Sequence, residues 1–373
     1  MTEKNSALHR PISPSGSLLL DIIRASAAVV VVIGHLALPS FYPPGKEALV
    51  KAATAAVVVF FLLSGFVIRY VTLRKPVTPA HYYVDRISRI YSVAIPAILL
   101  TLLFDLLSHR INPSYYDANW LSNCTHIPFR ILANATFLSE IWAKQIFLLS
   151  NIPFWSLSFE CFYYVLYGLA FYLTGAKRLI LFVLVALLAG PSIMALFPLW
   201  LGGCLLYSLY QRLRGKRSIV IAMTAVIEIM ALSLGLFHRA LMPQLNAAQR
   251  WIDQAIPYSP LLGRVSIRFY EIGTVAFVLM LFLLLLADLA PVSGKSSIAN
   301  AIRFTAEGTF PLYLFHFPIL VLVFSIVGTS SKSLGLRAAI LLGVATFAVL
   351  MGHPCNLLKL RMRAWLVTVL RIS

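Results

Sequence analysis

The chain has 373 residues, 60% of them hydrophobic and only 12% charged, with a mean hydropathy of +0.85, which excludes an ordinary soluble enzyme or binding module. Its formal charge of +18 would suggest a nucleic-acid partner in a soluble protein. Here the basic residues cluster between apolar runs, which is a topological pattern and gives no reason to infer a nucleic-acid ligand.

Residues 1–16 are polar, and the first apolar run has no small-residue cleavage site after it, so that run is expected to stay in the protein. Apolar runs of the roughly 17–25 residues that a helix needs to cross a bilayer then recur along the chain. They predict spans near 17–38, 50–70, 90–108, 152–173, 179–196, 198–210, 218–237, 269–290, 308–328 and 336–357. The shortest, 198–210, lies beside Gly190-Pro191 and Pro198, and reads as part of a broken or re-entrant pair. The fold expected is all-α: one polytopic membrane bundle of about ten helices over 1–373, with no soluble domain.

Orientation follows from the basic residues. Short segments such as Gln211–Arg217 (QRLRGKR) and the 358–373 tail concentrate them, whereas the long loops near 109–151 and 238–268 dilute them. This places both termini, tails 1–16 and 358–373 included, in the cytoplasm. The two long outer loops then either cover an acceptor or serve as a plain lid. The four cysteines show neither CxxC nor Cys/His spacing, so no metal site or disulfide framework is inferred.

Ionisable groups inside hydrocarbon are costly, and the first span holds Asp21, Arg24 and His35. At about 100° and 1.5 Å per residue, the step from Arg24 to His35 closes nearly three turns and rises about 16 Å. The two side chains therefore share a face at different depths. Arg24 is either a snorkelling anchor or a ligand, and His35 either an interface residue or a proton acceptor suited to neutral pH. Glu160 heads an apolar span with no other charge nearby, and needs a partner there.

The Arg–ten residues–His arrangement resembles the signature of the acyltransferase-3 family of membrane acyltransferases. Further landmarks agree: Phe60-Phe61-Leu62-Leu63-Ser64-Gly65-Phe66, the basic segment Arg86-Ile87-Ser88-Arg89-Ile90-Tyr91, Trp155-Ser156-Leu157-Ser158-Phe159-Glu160, and Tyr313-Leu314-Phe315-His316-Phe317-Pro318. Two departures stand out: Ser92 replaces a usual Pro, and Gly352-His353-Pro354 replaces a frequent Glu-basic-Pro ending.

The resemblance implies transfer of an acyl group, with acetyl favoured, from cytoplasmic acetyl-CoA to a hydroxyl of a carbohydrate-containing acceptor, without a metal. Such acceptors include exopolysaccharide and lipopolysaccharide O-antigen, reached from a bacterial inner membrane. His35, Arg24 and Glu160 are then the catalytic candidates, and Arg24, Arg86 and Arg89, the last two on an inner loop, are candidates for donor phosphates. Glu160 either pairs with His35 or Arg24 or binds acceptor hydroxyls. Trp155, Tyr163 and His316 are acceptor-binding candidates. Ser64-Gly65 lacks the setting of a nucleophile elbow and reads as close helix packing. Two alternatives remain, a secondary transporter, which predicts inverted repeats that the chain does not display, and an acyltransferase for a small non-sugar molecule.

Overall fold

The structure, a computed structural model, describes residues 10–42, 47–74, 77–227, 243–244, 247–248, 250–251, 268–290, 296–329 and 333–372. Its helices are α1 Pro14–Leu36, α2 Glu47–Arg74, α3 Pro79–Ile111, α4 Pro113–Trp120, α5 Ile127–Ala135, α6 Trp155–Tyr172, α7 Gly175–Leu213, α8 Arg217–Ile227, α9 Arg268–Leu289, α10 Ser297–Glu307, α11 Thr309–Val327 and α12 Leu334–Val369. Seven of these, α1, α2, α3, α7, α9, α11 and α12, are long and apolar enough to cross a membrane. The expected span 152–173 appears as the Tyr-rich α6, and residues 228–237 of the span 218–237 lie outside the described residues, as does most of the 238–268 loop. Glu228, to which the sequence assigns no role, also lies outside them.

Local chemistry sets the helix starts. Ser13 and Thr78 accept backbone N–H bonds at the heads of α1 and α3, each followed by a proline at the first helical position, where no N–H is needed. Arg214 and Gln211, past and within the end of α7, donate to the carbonyls of Pro11 and Arg10 at 2.8 and 3.0 Å. Arg214 also pairs with Asp288 of α9 at 3.1 Å. These bonds gather the N-terminal segment and the ends of α7 and α9 at one end of the bundle.

Two glycines let α2 and α7 touch backbone to backbone. A Cβ on Gly65 would sit 2.0 Å from the Trp200 carbonyl oxygen, and one on Gly203 would sit 2.1 Å from that of Leu62. The packing reading of Ser64-Gly65 therefore holds for the glycine. Gly65→Val is expected to abolish accumulation of folded protein, because overpacking against backbone has no cheap relief. Size-exclusion of the tagged protein from detergent extracts checks this, with Gly343→Val, which meets nothing within 4 Å, as the control.

The break in α7 comes at Gly190, with φ 80° and ψ 174°, and not at residue 197, where the two expected spans were divided. Pro191 lacks the N–H that would bond the Leu187 carbonyl, and the Trp142 indole fills that vacancy at 3.0 Å. Trp142 packs so closely that a Cβ on Gly190 would lie 2.8 Å from its backbone nitrogen. The first arm begins just after Tyr172, which rests on Tyr82 at the start of α3, and the second ends at Pro11. The chain thus turns back at Gly190 and forms a broken pair.

Two expected boundaries are corrected. α3 begins at Pro79, so Arg86 to Tyr91 is helical and not a loop. Hydropathy falls there because of Asp85, Arg86 and Arg89, but those residue types lower apolarity without opposing a helix. Likewise α12 continues through Pro354 to Val369, so much of the expected tail 358–373 is helix.

The segment between α3 and α6 is anchored inward. Buried Asp105 accepts from Ser150 N at 3.0 Å, Ser150 Oγ at 2.6 Å and Tyr116 OH at 2.9 Å. Asn151 donates to Thr101 Oγ1 at 2.9 Å and to the Leu314 carbonyl at 3.0 Å. That carbonyl is the one Pro318 leaves without its helical N–H, so Asn151 completes the hydrogen bonding of α11 at its internal proline.

Candidate active site

A cavity of about 270 Å³ lies among α1, α2, α3, α6, α12 and the α10–α11 junction. Helical spacing aims the side chains: Arg86, Arg89, Ile90 and Val93 line it from α3, and Ser156, Leu157, Glu160 and Tyr164 from α6. Arg24 enters from α1 and Lys359 from α12, so four cations meet in an otherwise largely apolar chamber. Arg24 pairs with Asp21 at 3.6 Å. Among the described residues no carboxylate lies within 4.0 Å of Arg86, Arg89 or Lys359. Arg86 stands over the rings of Tyr82 and Tyr164, each 5.9 Å from its Cζ, and its buried Nε has no hydrogen-bond partner.

Glu160 faces the same chamber, but its Oε1 is held by neighbours other than those expected. Ser64 Oγ donates to it at 2.8 Å, the Tyr164 hydroxyl donates to it as well, and Trp200 Nε1 donates to Ser64 Oγ at 3.1 Å. No ion pair joins Glu160 to Arg24 or His35 among the described residues. Ser64 is therefore a polar member of the cavity as well as a neighbour of the packing glycine. Tyr164 is one helical turn from Glu160 on the same face, a relation the sequence displays.

His35 and His316 form a second locus and do not line the cavity. Their rings stack with centroids 5.0 Å apart, and His35 Nδ1 lies 2.8 Å from His316 Nε2. The tautomers follow by elimination for two neutral rings. His316 Nδ1 is 2.9 Å from the Leu312 carbonyl, which can only accept, so Nδ1 carries the hydrogen and Nε2 a lone pair. His35 Nδ1–H must then donate to His316, which leaves the lone pair of His35 on Nε2. Phe317 packs edge-on to His35, and buried Phe41 and Trp120 pack on Phe317.

Between the two loci stand Phe60, Tyr313 and Ser156, all lining the cavity. The Tyr313 ring is 5.6 Å from Phe60 and 6.4 Å from His316, and its hydroxyl is 2.8 Å from Ser156 Oγ.

Trp155 and Tyr163 are outside the cavity. Trp155 packs edge-on against Phe159. Tyr163 is fully buried, donates its hydroxyl to the Ile193 carbonyl at 2.8 Å, and wedges between Phe61, Phe197 and Trp200. The structure thus brings together Arg24, Arg86, Arg89 and Glu160, pairs His35 with His316, and sets Trp155 and Tyr163 in the packing of the bundle.

With this geometry in place, comparison by family is decisive: the family model described as an acyltransferase domain, that of the acyltransferase-3 family, matches residues 18–353. The chain belongs to the acyltransferase-3 family. It is therefore a multi-pass membrane acyltransferase. Searches of curated proteins and of solved structures find no match. Every landmark of the acyltransferase-3 resemblance, from Arg24 to the Gly352-His353-Pro354 departure, ends within or one residue beyond the matched segment. At that departure Gly352 packs closely on the α10–α11 junction: a Cβ there would lie 3.1 Å from Gly308 N.

Proposed function

We propose that the protein transfers an acetyl group from cytoplasmic acetyl-CoA to a hydroxyl of a carbohydrate-containing acceptor, such as exopolysaccharide or O-antigen units, at the outer side of a bacterial inner membrane. The observation that carries this reading is a chamber in which Arg86, Arg89 and Lys359 have no carboxylate within 4.0 Å among the described residues, beside a histidine pair whose free lone pair is defined. A chamber in which cations outnumber carboxylates favours a polyanion, and guanidinium groups match phosphate oxygens bidentately.

The chamber is small beside a whole CoA thioester, so it takes the diphosphate and the start of the pantetheine arm while the nucleoside stays outside it. The rise of about 16 Å from Arg24 to His35 is the distance the arm must cover. Phe60 and Tyr313 stand in its path, so the thioester reaches His35 when the Tyr313 ring moves aside. The acceptor hydroxyl then gives its proton to His35 Nε2 as its oxygen attacks the thioester carbonyl. The carbon–sulfur bond breaks, and the CoA thiolate leaves and takes up a proton. His316 holds His35 in the tautomer this step needs. The test is whether membranes containing the protein release CoA from acetyl-CoA only when glycans from a strain lacking the protein are added. Release that ignores the acceptor would contradict the reading.

Glu160 has a separate signature. Its carboxylate is the anion that a donor phosphate would meet among the arginines, so Glu160→Gln keeps the Ser64 and Tyr164 bonds while removing repulsion. Acetyl-CoA is expected to bind this variant at least as tightly as wild type. Titration of both proteins checks this, and weaker donor binding by the variant would contradict the electrostatic account.

A further inference from the structure

The C-terminal part of α12 lies beyond the residues that the family model matches, yet it closes one wall of the cavity. Gly352, Cys355, Asn356 and Lys359 recur at three- and four-residue steps, so they share one face of α12, and that face lines the chamber. One turn further, Arg363 Nε meets Asp85 Oδ1 at 2.6 Å, which pins α12 against the start of α3. α3 and α12 run in opposite directions here, so pairing 363 with 85 sets Lys359 at about the level of Arg89. Arg86, Arg89 and Glu307 line the same chamber as Lys359.

Three cations are thus directed at one space from two helices, with no carboxylate within 4.0 Å of any of them among the described residues. Like charges at such a site repel. The position makes sense when a multiply charged anion lies between the two walls.

The geometry points to Lys359 as a donor-binding residue that contacts the CoA diphosphate from the wall opposite Arg89. Arg89 supplies a planar fork and Lys359 a mobile point charge, so the two hold phosphate oxygens from two sides. This assignment rests on the proposed donor. It does not rest on the family signature, which stops before this residue.

The experiment is a titration of acetyl-CoA against purified protein in nanodiscs, using wild type, Lys359→Ala, Lys359→Met, Lys359→Arg and Arg361→Ala. Arg361 is exposed, two residues away on another face of α12. Losing a charge-assisted contact is expected to weaken acetyl-CoA binding about 10-fold or more in Lys359→Ala and Lys359→Met. Lys359→Arg should stay within about threefold of wild type, and Arg361→Ala should match it. Acetyl-pantetheine, which has the arm and no phosphates, should displace labelled acetyl-CoA with the same inhibition constant from wild type and from Lys359→Met. Without donor, Lys359→Met should melt close to wild type, because it loses repulsion from Arg86 and Arg89 together with attraction to Glu307 and Asp85. Wild-type affinity for acetyl-CoA in both neutral variants would overturn the role of Lys359 while leaving the donor reading intact. Equal loss for acetyl-CoA and acetyl-pantetheine would show that Lys359 shapes the cavity, and would also overturn it. Failure of wild type itself to bind acetyl-CoA would overturn the donor reading, and this assignment with it.

Discussion

Replacing His35 by alanine is expected to lower acyl transfer by about 100-fold or more, the usual cost of removing a general base. The protein should still fold, because the imidazole contributes one bond, one stacking contact and one edge-on contact to a helix whose buried face also holds Ala28, Val31 and Val32. His316 gives a graded companion. His316→Phe removes the acceptor for His35 Nδ1–H and frees the ring to change tautomer, so a loss of roughly 10- to 100-fold is expected. His316→Gln can present its carbonyl oxygen to the same N–H, and should recover much of the activity. The measurement is acetyl transfer on equal amounts of monodisperse protein. Activity of His35→Ala within threefold of wild type would remove His35 from the chemistry.

The second large effect is on the donor. Arg86→Ala and Arg89→Ala should each raise the acetyl-CoA concentration for half-maximal rate about 10-fold, and together roughly 100-fold, while the maximal rate falls far less. The reason is positional. Both arginines line the chamber and His35 does not, so the phosphate contacts proposed for them would be the same in ground and transition states. Full kinetic curves at saturating acceptor check this. A selective fall in the maximal rate would place the arginines at the reacting carbonyl instead.

Much of this arrangement was legible in the sequence where one residue type answers one physical demand. The spacing of Arg24 and His35 put them on one face of α1 because both lie within a single uninterrupted helix. The pair Gly190-Pro191 marked a break because glycine supplies the positive φ and proline lacks a hydrogen-bond donor. What the sequence hid depends on other helices. Glu160 needed a partner, and while Tyr164 lies one turn along the same helix, only the packing of α2 against α6 and α7 reveals that Ser64 joins it. The His35–His316 pair joins α1 to α11, and no local pattern announces it. Tyr163 resembled a sugar platform by type alone, until the bend in α7 brought the Ile193 carbonyl to its hydroxyl. Lys359 was masked by hydropathy, which ends the apolar window at 357 although the helix continues to Val369.

The central claim is that donor and acceptor meet from opposite faces, with the arginine chamber open to one compartment and His35 serving the other. Proteoliposomes of purified protein, sorted by protease accessibility of the termini, test this most directly. Labelled acetyl-CoA is confined to the compartment holding the termini, and glycan extracted from a strain lacking the protein is confined to the other. The account predicts labelled acetyl on the glycan and free CoA on the donor side, both lost in His35→Ala. Transfer that occurs only when donor and glycan share a compartment would contradict it.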